Sequence, residues 1–321
     1  MLDIIGIDQP CLDHMVLIDH IPAADTQLMM ERQCWQGGGR VPTALVAAAR
    51  LGAKTGLMGR TGGDRIGHFL YRELEGEGVD VSRLQMQADR RSDYVVALAE
   101  QATHGRSFIA NPGTFDPYGP EDVSENFVKS ARGILLYRFD AADIRAAELA
   151  REAGATVACD CDADEYMEDL MANIGLIDVF IASEFAYNML FPQGGDMEEN
   201  CRTIWRMGPS TVIFTLGSQG CAGLEEDGSF FRLNAFSVPV VDTTGAGDTF
   251  HGAYLYASLC ENMGIKASAE FASAVSAIQC MFLGGRSGLP ERSMVEDFLT
   301  GRTFDRRPLE AREARYSDFP V

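Results

Sequence analysis

The sequence of 321 residues lacks an uninterrupted apolar run long enough to cross a bilayer, and its start, "MLDIIGIDQP", has no basic region followed by a long apolar core. We therefore expect neither a membrane span nor a signal peptide. Basic residues are also scarce: 27 lysines and arginines stand against 47 acidic residues, and the formal net charge is −20. Because phosphate backbones and anionic membranes would repel such a chain, we expect no broad binding to nucleic acid or membrane.

Lysine is especially rare, since Lys54, Lys129 and Lys266 are the only three and none follows a glycine. This excludes a P-loop, which needs a lysine directly after a glycine. Eight cysteines are scattered along the chain without the density of a disulfide-stapled scaffold, which indicates reduced thiols and a cytoplasmic protein. Cys159 and Cys161 would face one side of a strand, but no second pair completes a tetrahedral metal site, so a buried strand end is favoured.

What is present is an alternation of strand-like and helix-like segments. "IIGI", "KTGLMGRTG", "ARGILLYRF", "ATVACDCD", "IDVFIAS" and "STVIFTLG" are typical of strands, and "VPTALVAAARLGA" and "ADIRAAELAREAG" are typical of helices. The alternation predicts an α/β fold, a mostly parallel sheet covered by helices on both faces. "CLDHMVLIDHIPAADTQLMMERQCW" and "SDYVVALAEQATHGRSFIA" break it, and we expect them to form hairpins in a small separate layer. The charged end "FDRRPLEAREARYSDFPV" is expected at the surface.

Ligands of open α/β sheets bind beyond the carboxyl ends of the strands. Several glycines, aspartates and a threonine fall at such ends. Taken singly, each is explained as a turn residue or a helix cap. Together they predict one rim, formed by Asp13, Gly38, Gly39, Asp160, Thr215, Gly217 and Asp248.

The stretch "VVDTTGAGDTFHGAYLYASL" predicts a strand that ends at Val238–Val241, a turn, and a helix through Phe250. Gly245 and Gly247 leave the main chain open, and the first amides of the helix would attract phosphate. The alternative is a tight turn in which Asp248 is simply the N-cap. The stretch alone leaves both interpretations open.

"DTTGAGDTFHGA" resembles the C-terminal signature of the ribokinase-like, or PfkB, carbohydrate kinases, and "GGGRVPTALVAAARLGA" followed by "GRTGGDRIG" resembles the N-terminal one. The resemblance runs from Gly6 to Pro290. It implies a ribokinase-like three-layer α/β/α fold with a mostly parallel central sheet and a small β-lid. The kinase domain would span residues 1–302, with lid segments at about 12–36 and 92–116, and a charged tail would follow over 303–321. In many relatives the lid also forms a dimer interface, so we expect a homodimer.

The resemblance also implies a reaction and its residues. Asp248 would take the proton of a substrate hydroxyl as that hydroxyl attacks the γ-phosphorus of ATP, and the amides of Gly245, Ala246 and Gly247 would stabilise the transferring group. The residues implied in sugar binding are Asp13, Gly38, Gly39, Thr43, Arg138 and Asn111. Those implied in ATP binding are Thr215, Gly217, Gly220, Ser273 and Gly285.

Two ions are implied as well. Magnesium would be held largely through phosphates and waters. The family's Asn-x-x-Glu is replaced here by Ser183 to Ala186, so the role of the missing glutamate would pass to Glu184, or to Asp160 and water. Asp242 and Thr244 match a potassium site of some members, and we expect potassium to raise activity over sodium.

Within the family, "GGGRVPTALVAAARLGA", Arg138 and "GGRSGLP" resemble the branch that includes sulfofructose kinase, where arginine meets an anionic group of the sugar. Pairing of Arg138 with a neighbouring acid is the alternative. A neutral or phosphorylated ketose, a sugar acid and a nucleoside all stay open as acceptors. A non-catalytic sugar sensor is a further alternative, whereas a dinucleotide fingerprint is disfavoured because Phe250 stands at its third glycine.

Overall fold

The computed structural model describes residues 1–103, 105–162 and 166–318. The strands of this part of the chain are β1 (Leu2–Ile7), β2 (Cys11–Ile18), β3 (Arg32–Gly37), β4 (Thr55–Gly62), β5 (Val79–Gln87), β6 (Asp93–Glu100), β7 (Arg106–Asn111), β8 (Ala131–Leu136), β9 (Thr156–Asp160), β10 (Val179–Ser183), β11 (Thr211–Thr215), β12 (Cys221–Leu224) and β13 (Phe230–Leu233). Its α-helices are α1 (Arg40–Leu51), α2 (Arg65–Gly76), α3 (Glu125–Val128), α4 (Ala141–Glu152), α5 (Met167–Ala172), α6 (Glu184–Leu190), α7 (Met197–Trp205), α8 (Ala246–Leu255), α9 (Ile265–Gln279), α10 (Arg292–Leu299) and α11 (Arg307–Tyr316).

Nine strands form the central sheet, in the order β13-β12-β11-β10-β9-β8-β1-β4-β5. The pairs from β11 through β5 are parallel, and β12 and β13 are antiparallel additions at one edge. Successive residues of β1 belong to two different hydrophobic cores. Ile4 packs with Leu45 of α1, and Ile5 packs with Ala146 of α4. A strand covered on both faces must be apolar throughout, which is why "IIGI" lacks alternation. The predicted mostly parallel α/β sheet is confirmed.

The second sheet contains β3, β2, β6 and β7 in that order. β2 pairs antiparallel with β3, and β6 pairs antiparallel with β7, so both predicted hairpins are present. β2 and β6 run parallel and join the two hairpins. Met15, Cys34 and Ala97 pack with Leu283 and tie this sheet to the rest of the chain. We call this sheet the lid; His104, between β6 and β7, lies outside the described residues.

Two local expectations need correction. Val238–Val241 is not a strand; instead the amide of Val241 donates to the carbonyl of Cys280 at 2.8 Å, so the end of α9 positions the chain here. The charged end of the chain is not only a surface tail, since Leu309 of α11 is fully buried. Apolar residues spaced among its charges dock this helix on the domain. Residues 319–321 of the predicted tail lie outside the described part.

Among the described residues, no helix combines the length and the apolar character that crossing a membrane requires.

Candidate active site

A cavity of about 250 Å³ lies between the carboxyl end of β1 and the lid strands β6 and β7. This volume is slightly below the range of about 300–1,000 Å³ for drug-sized ligands, so the cavity suits a smaller molecule. Two of the predicted sugar-binding residues, Gly39 and Asn111, line it. The full lining consists of Asp8, Gln9, Cys11, Gly39, Arg40, Asp93, Val95, Ala110, Asn111, Pro112 and Tyr137.

The predicted anion-binding turn is a helix start. α8 begins at Ala246, and Gly245 before it has φ 72°; a β-carbon added to Gly245 would lie only 2.8 Å from Cα of Gly285. Only glycine satisfies both the left-handed conformation and this close approach. A β-carbon on Gly247 would meet nothing within 4 Å, so the approach to the turn is open there. The amide of Ala246 donates to the carbonyl of Thr243 at 3.2 Å, so one of the three predicted anion-binding amides already has a partner.

Asp248 is the third residue of α8. The N-cap of this helix is Gly245, and no side chain makes a capping hydrogen bond there. The alternative in which Asp248 serves as the N-cap is therefore wrong. Burial in the cleft raises the pKa of Asp248 to about 7, and the nearby charge of Asp160 adds to this increase, whereas Arg40 and His251 oppose it. A carboxylate with a pKa near the working pH suits a general base.

Three charged side chains, Asp160, His251 and Arg40, surround Asp248, and we call them the base cluster. Oδ1 of Asp160 lies 3.4 Å from Nε2 of His251 and 3.9 Å from Nη1 of Arg40. Burial alone would raise the pKa of Asp160, but the charges of His251 and Arg40 outweigh it and hold that pKa below its usual value. Burial alone would likewise lower the pKa of His251, but Asp160 raises it on balance. The geometry indicates an ion pair behind the base.

The altered Ser183–Ala186 stretch starts α6. Ala186 is fully buried and brings no carboxylate to the cleft, whereas Glu184 is exposed. The amide of Ser183 donates to Oδ1 of Asp162 at 2.6 Å, so this second carboxylate of "CDCD" braces the end of β10. No group of three or more metal-ligating side chains occurs in the described ranges. These residues fit a magnesium ion that is held mainly by phosphates and water. The role of Glu184 near that ion stays a prediction.

The acceptor side of the cleft is built on Asp13. A β-carbon on Gly38 would lie 2.0 Å from Oδ2 of Asp13, so only glycine lets the two meet. The thiol of Cys11 donates to Oδ1 at 3.2 Å. Burial raises the pKa of Asp13 to about 6, although the thiol of Cys11 and the charge of Arg286 favour the ionised form.

A second group of charged side chains lies beneath the Gly37–Gly39 turn. Arg286 is fully buried; its guanidinium pairs with Glu73, donates to the carbonyl of Gly38 at 3.0 Å and approaches the hydroxyl of Thr43 at 3.4 Å. Glu73 in turn accepts from the amide of Gly37 at 3.2 Å and from the hydroxyl of Tyr316 at 3.1 Å. We call Arg286, Glu73 and Tyr316 the turn cluster. The hydroxyl of Thr43 therefore faces the guanidinium of Arg286 beneath the Gly37–Gly39 turn.

Arg138 is not among the residues that line the cavity. Its Nη1 donates to Gln9 Oε1 at 2.6 Å and to the Tyr137 hydroxyl at 2.7 Å. Its other nitrogens lie 3.8 Å from Asp8 and 3.5 Å from Asp140. These contacts match the alternative in which Arg138 pairs with neighbouring acids instead of meeting an anionic group of the sugar. Arg40, which is half-buried, lines the cavity instead, and its guanidinium lies 5.5 Å from the Tyr137 ring centre.

The predicted nucleotide-binding residues lie after β11, on α9 and in the loop after α9. Thr215 ends β11, and Gly217 and Gly220 belong to the turn that leads to β12. Ser273 of α9 faces β12, with its hydroxyl 4.0 Å from the thiol of Cys221. Gly285 packs directly on Gly245. Gly285 thus brings the loop after α9 against the turn before α8, and the ATP-binding role of the five residues stays a prediction.

The predicted potassium ligands, Asp242 and Thr244, are occupied by protein donors. Oδ1 of Asp242 accepts from the amide and the hydroxyl of Thr244, and Oδ2 accepts from the amide of Gly284 at 2.9 Å. The carbonyl of Thr244 accepts from the side-chain amide of Gln279 at 2.9 Å. These residues do not fit a potassium ion, because hydrogens already point at the oxygens that would bind it.

Sequence reasoning missed Arg40, Arg286, His251 and Gln279. Arg40 and Arg286 stand beside turn glycines inside the quoted motifs "GGGR" and "GGRSG", and a charge beside a tight turn was the available signal. His251 lies one helical turn after Asp248. Gln279 carried no signal, since its partners Thr244 and Gly284 are brought to it only by the fold.

A family model described as pfkB family carbohydrate kinase matches residues 8–292. A nucleoside kinase from Methanothermobacter thermautotrophicus is 23% identical over 90% of this chain and 93% of its own length. Fructokinase-2 from Solanum lycopersicum is 26% identical over 89% of this chain and 94% of its own. An E.coli protein assigned as ribokinase II, solved with ATP and Mg²⁺, superposes with a TM-score of 0.80 at 20% identity, over 94% of this chain and 100% of that one.

Proposed function

The chain belongs to the pfkB family of carbohydrate kinases, and on that premise we propose that Asp248 is the general base in transfer of the γ-phosphoryl group of ATP to a hydroxyl of a sugar or nucleoside. The acceptor oxygen attacks the γ-phosphorus and its proton passes to Asp248. The bond from the γ-phosphorus to the bridging oxygen breaks, and ADP leaves. Positioning and electrostatic stabilisation supply most of the rate in such transfers.

The observation that supports this proposal best is the place of Asp248 in the first turn of α8. It lies at the positive end of the helix dipole, where the space beside Gly247 is open, and its pKa is raised to about 7. Arg40 connects this turn to the cavity, since it lines the cavity and its charge acts on Asp248. A transferring phosphoryl group would therefore meet amide donors while the acceptor hydroxyl meets the base.

We propose that Asp13, Gly38, Gly39 and Asn111 bind the acceptor. Arg40 favours an acceptor with an anionic substituent, as the motifs of the sulfofructose kinase-like branch imply, because its guanidinium lines the cavity. We leave Arg138 out of direct recognition and assign it the support of Asp8 and Gln9. The named relatives act on fructose and on nucleosides, so neutral acceptors belong in the same test.

Magnesium, bound with ATP in the E.coli protein, would neutralise phosphate charge when present. The residues proposed to contact ATP are Thr215, Gly217, Gly220, Ser273 and Gly285, with Glu184 near the metal's water shell. The potassium requirement implied by the resemblance is not part of the proposal, because the oxygens of Asp242 and Thr244 are already engaged.

We propose a homodimer through the lid. β7 is its edge strand, and Phe108 and Ile109 on it are 57% and 62% exposed. An unpaired apolar edge favours association with a second chain. Sedimentation of the wild type and of Ile109→Lys tests this: a dimer that the substitution dissociates supports the lid contact, and a wild-type monomer contradicts it.

The deciding experiment is an ATP-consumption screen with magnesium over D-fructose, D-ribose, fructose 6-phosphate, 6-deoxy-6-sulfofructose, 5-dehydro-2-deoxygluconate and adenosine. We expect saturable turnover with one class, and the anionic ketoses are the favoured one. Turnover with none of them, together with tight binding of a sugar, would contradict the kinase proposal and favour the sensor.

A further inference from the structure

Gln279, the last residue of α9, has a fully buried side chain that joins two loops of the catalytic centre. Its Nε2 donates to the carbonyl of Thr244 at 2.9 Å and to the carbonyl of Gly284 at 2.7 Å. Its Oε1 lies 3.6 Å from the thiol of Cys280, which donates to it. The amide orientation follows from these contacts, since only the nitrogen can donate to two carbonyls.

One of these two carbonyls, that of Thr244, belongs to a residue of the potassium site implied by the resemblance, and the amide of Gly284 contacts the other residue of that site, Asp242. Asp242 accepts three hydrogen bonds there, from the amide and hydroxyl of Thr244 and from the amide of Gly284. The loop that leads to Gly245 is thereby held to the loop at Gly284, as a cation between their oxygens would hold it. A buried carbonyl needs a partner, and the amide of Gln279 supplies one to each loop.

A positive charge also reaches this loop from the lid. Nη1 of Arg106, on β7, donates to the carbonyl of Thr243 at 2.9 Å. Thr243 stands between Asp242 and Thr244, so the guanidinium lies beside the loop that carries the buried carboxylate. Arginine stays charged at all working pH values, so this contribution is permanent.

We propose that Gln279 replaces the monovalent cation in this chain, with its Nε2 holding the Thr244 and Gly284 carbonyls and Arg106 supplying the positive charge. The catalytic turn then keeps its shape in any monovalent salt. A potassium ion could reach these carbonyls only by displacing a buried, hydrogen-bonded side chain, which would leave the amide of Gln279 without partners. The part of the proposal that concerns rate rests on the proposed function; the part that concerns ion binding does not.

The first test uses the wild-type chain in potassium, sodium and tetramethylammonium chloride at equal ionic strength. We expect turnover of the best acceptor from the screen, and the melting temperature, to be equal in the three salts, because bulk screening is matched. A wild-type melting temperature raised by potassium alone would overturn the proposal, whether or not any acceptor is found.

The second test asks whether removing the amide restores an ion site. In Gln279→Ala the Thr244 and Gly284 carbonyls lose their donor, so potassium should raise the melting temperature of this variant by a few degrees relative to sodium, through binding to the folded state alone. Ser276→Ala is the matched control. It lies on the same helix and removes a 3.0 Å bond to the carbonyl of Ala246, but it leaves Gln279 in place.

We expect the Ser276→Ala melting temperature to be the same in the three salts. Equal melting temperatures of Gln279→Ala in potassium and sodium, with the variant folded, would contradict the claim that Gln279 occupies a cation position. If Gln279→Ala does not fold in any salt, the melting temperatures of the wild-type chain in the three salts still test the proposal. A kinase screen without turnover would count against the proposed function and leave both melting results interpretable.

Discussion

The base cluster and the turn cluster each contain an arginine beside a carboxylate but contact different parts of the site. In the base cluster, Asp160 and its partners lie against Asp248 and alter its affinity for a proton. In the turn cluster, Arg286 and Glu73 contact the backbone of the Gly37–Gly39 turn. The first therefore acts on the proposed general base, and the second acts on the shape of the proposed acceptor-binding surface.

This difference leads to different kinetic consequences. A change at Asp160 or His251 should appear in turnover and in its pH dependence, because the proton transfer occurs in the transition state. A change in the turn cluster should appear mainly in the Michaelis constant of the acceptor, because the turn contacts the bound acceptor in ground and transition state alike. Substitutions in and near the two clusters test whether they separate in this way.

The largest effect is expected for Asp248→Asn. The amide of asparagine cannot accept the acceptor's proton, so turnover should fall at least about a hundredfold. Stability should not fall, because a carboxyl whose pKa is raised on folding destabilises the folded state in its ionised form, and asparagine has no charge there. The measurements are a steady-state rate, a thermal melt and an ATP titration on one purified variant. A folded variant with unchanged ATP affinity and near wild-type turnover would show that Asp248 is not the base.

Arg286→Lys should have the next largest effect. A lysine keeps the charge but cannot contact Glu73, Gly38 and Thr43 together. Loss of one charge-assisted hydrogen bond is worth about 1.5–3 kcal/mol, so the Michaelis constant of the acceptor should rise about tenfold or more. The Michaelis constant of ATP should hardly change.

Arg50→Lys is the matched control for Arg286→Lys. Arg50 is also largely buried, and its hydrogen bonds go to Glu77 and to the carbonyl of Arg286. We expect lower stability and a nearly unchanged acceptor Michaelis constant. Equal increases in the two variants would mean that the effect is general loosening of the fold.

Asp160→Asn and His251→Gln should shift the pH profile in opposite directions. The negative charge of Asp160 helps to raise the pKa of Asp248, and the positive charge of His251 lowers it. The acid limb of kcat/KM should therefore move to lower pH in Asp160→Asn and to higher pH in His251→Gln, each by about one unit or less. The check is kcat/KM measured from about pH 5 to pH 9. Shifts of the same sign would show that the charges of Asp160 and His251 do not set the pKa of Asp248.

The smallest effect on the acceptor is expected for Arg138→Lys. Because Arg138 pairs with Gln9, Tyr137 and Asp8 behind the cavity wall, the substitution should lower the melting temperature and change the acceptor Michaelis constant less than about twofold. Arg40→Lys is the comparison, since the same change is made in a residue that lines the cavity. A larger acceptor effect at Arg138 than at Arg40 would restore direct recognition by Arg138.

Much of the fold followed from the sequence because its signals are local. The apolar strands and the helix that ends at Gly52 are dictated by neighbouring residues, and the structure has them as predicted. The strand predicted at Val238–Val241 is absent because an apolar run indicates burial and extension but does not specify a neighbouring strand to which it could hydrogen-bond. The charged end lies mostly at the surface, as predicted, but one buried residue among charges, Leu309, is too weak a pattern to predict that the helix docks.

By itself the sequence determined the parallel sheet, the two hairpins of the lid and a glycine turn followed by a helix, since these patterns depend on near neighbours. It left the N-cap of that helix open, and the structure places it at Gly245, which packs on Gly285. Only the tertiary structure decided which arginine lines the cavity, what holds the Gly37–Gly39 turn, and which donor meets the carbonyls of Thr244 and Gly284. Those contacts join residues far apart in the chain: Arg286 lies 248 positions from Gly38, and Gln279 lies 35 from Thr244. Packing of whole helices on the sheet sets such distances, and a local pattern contains no information about them.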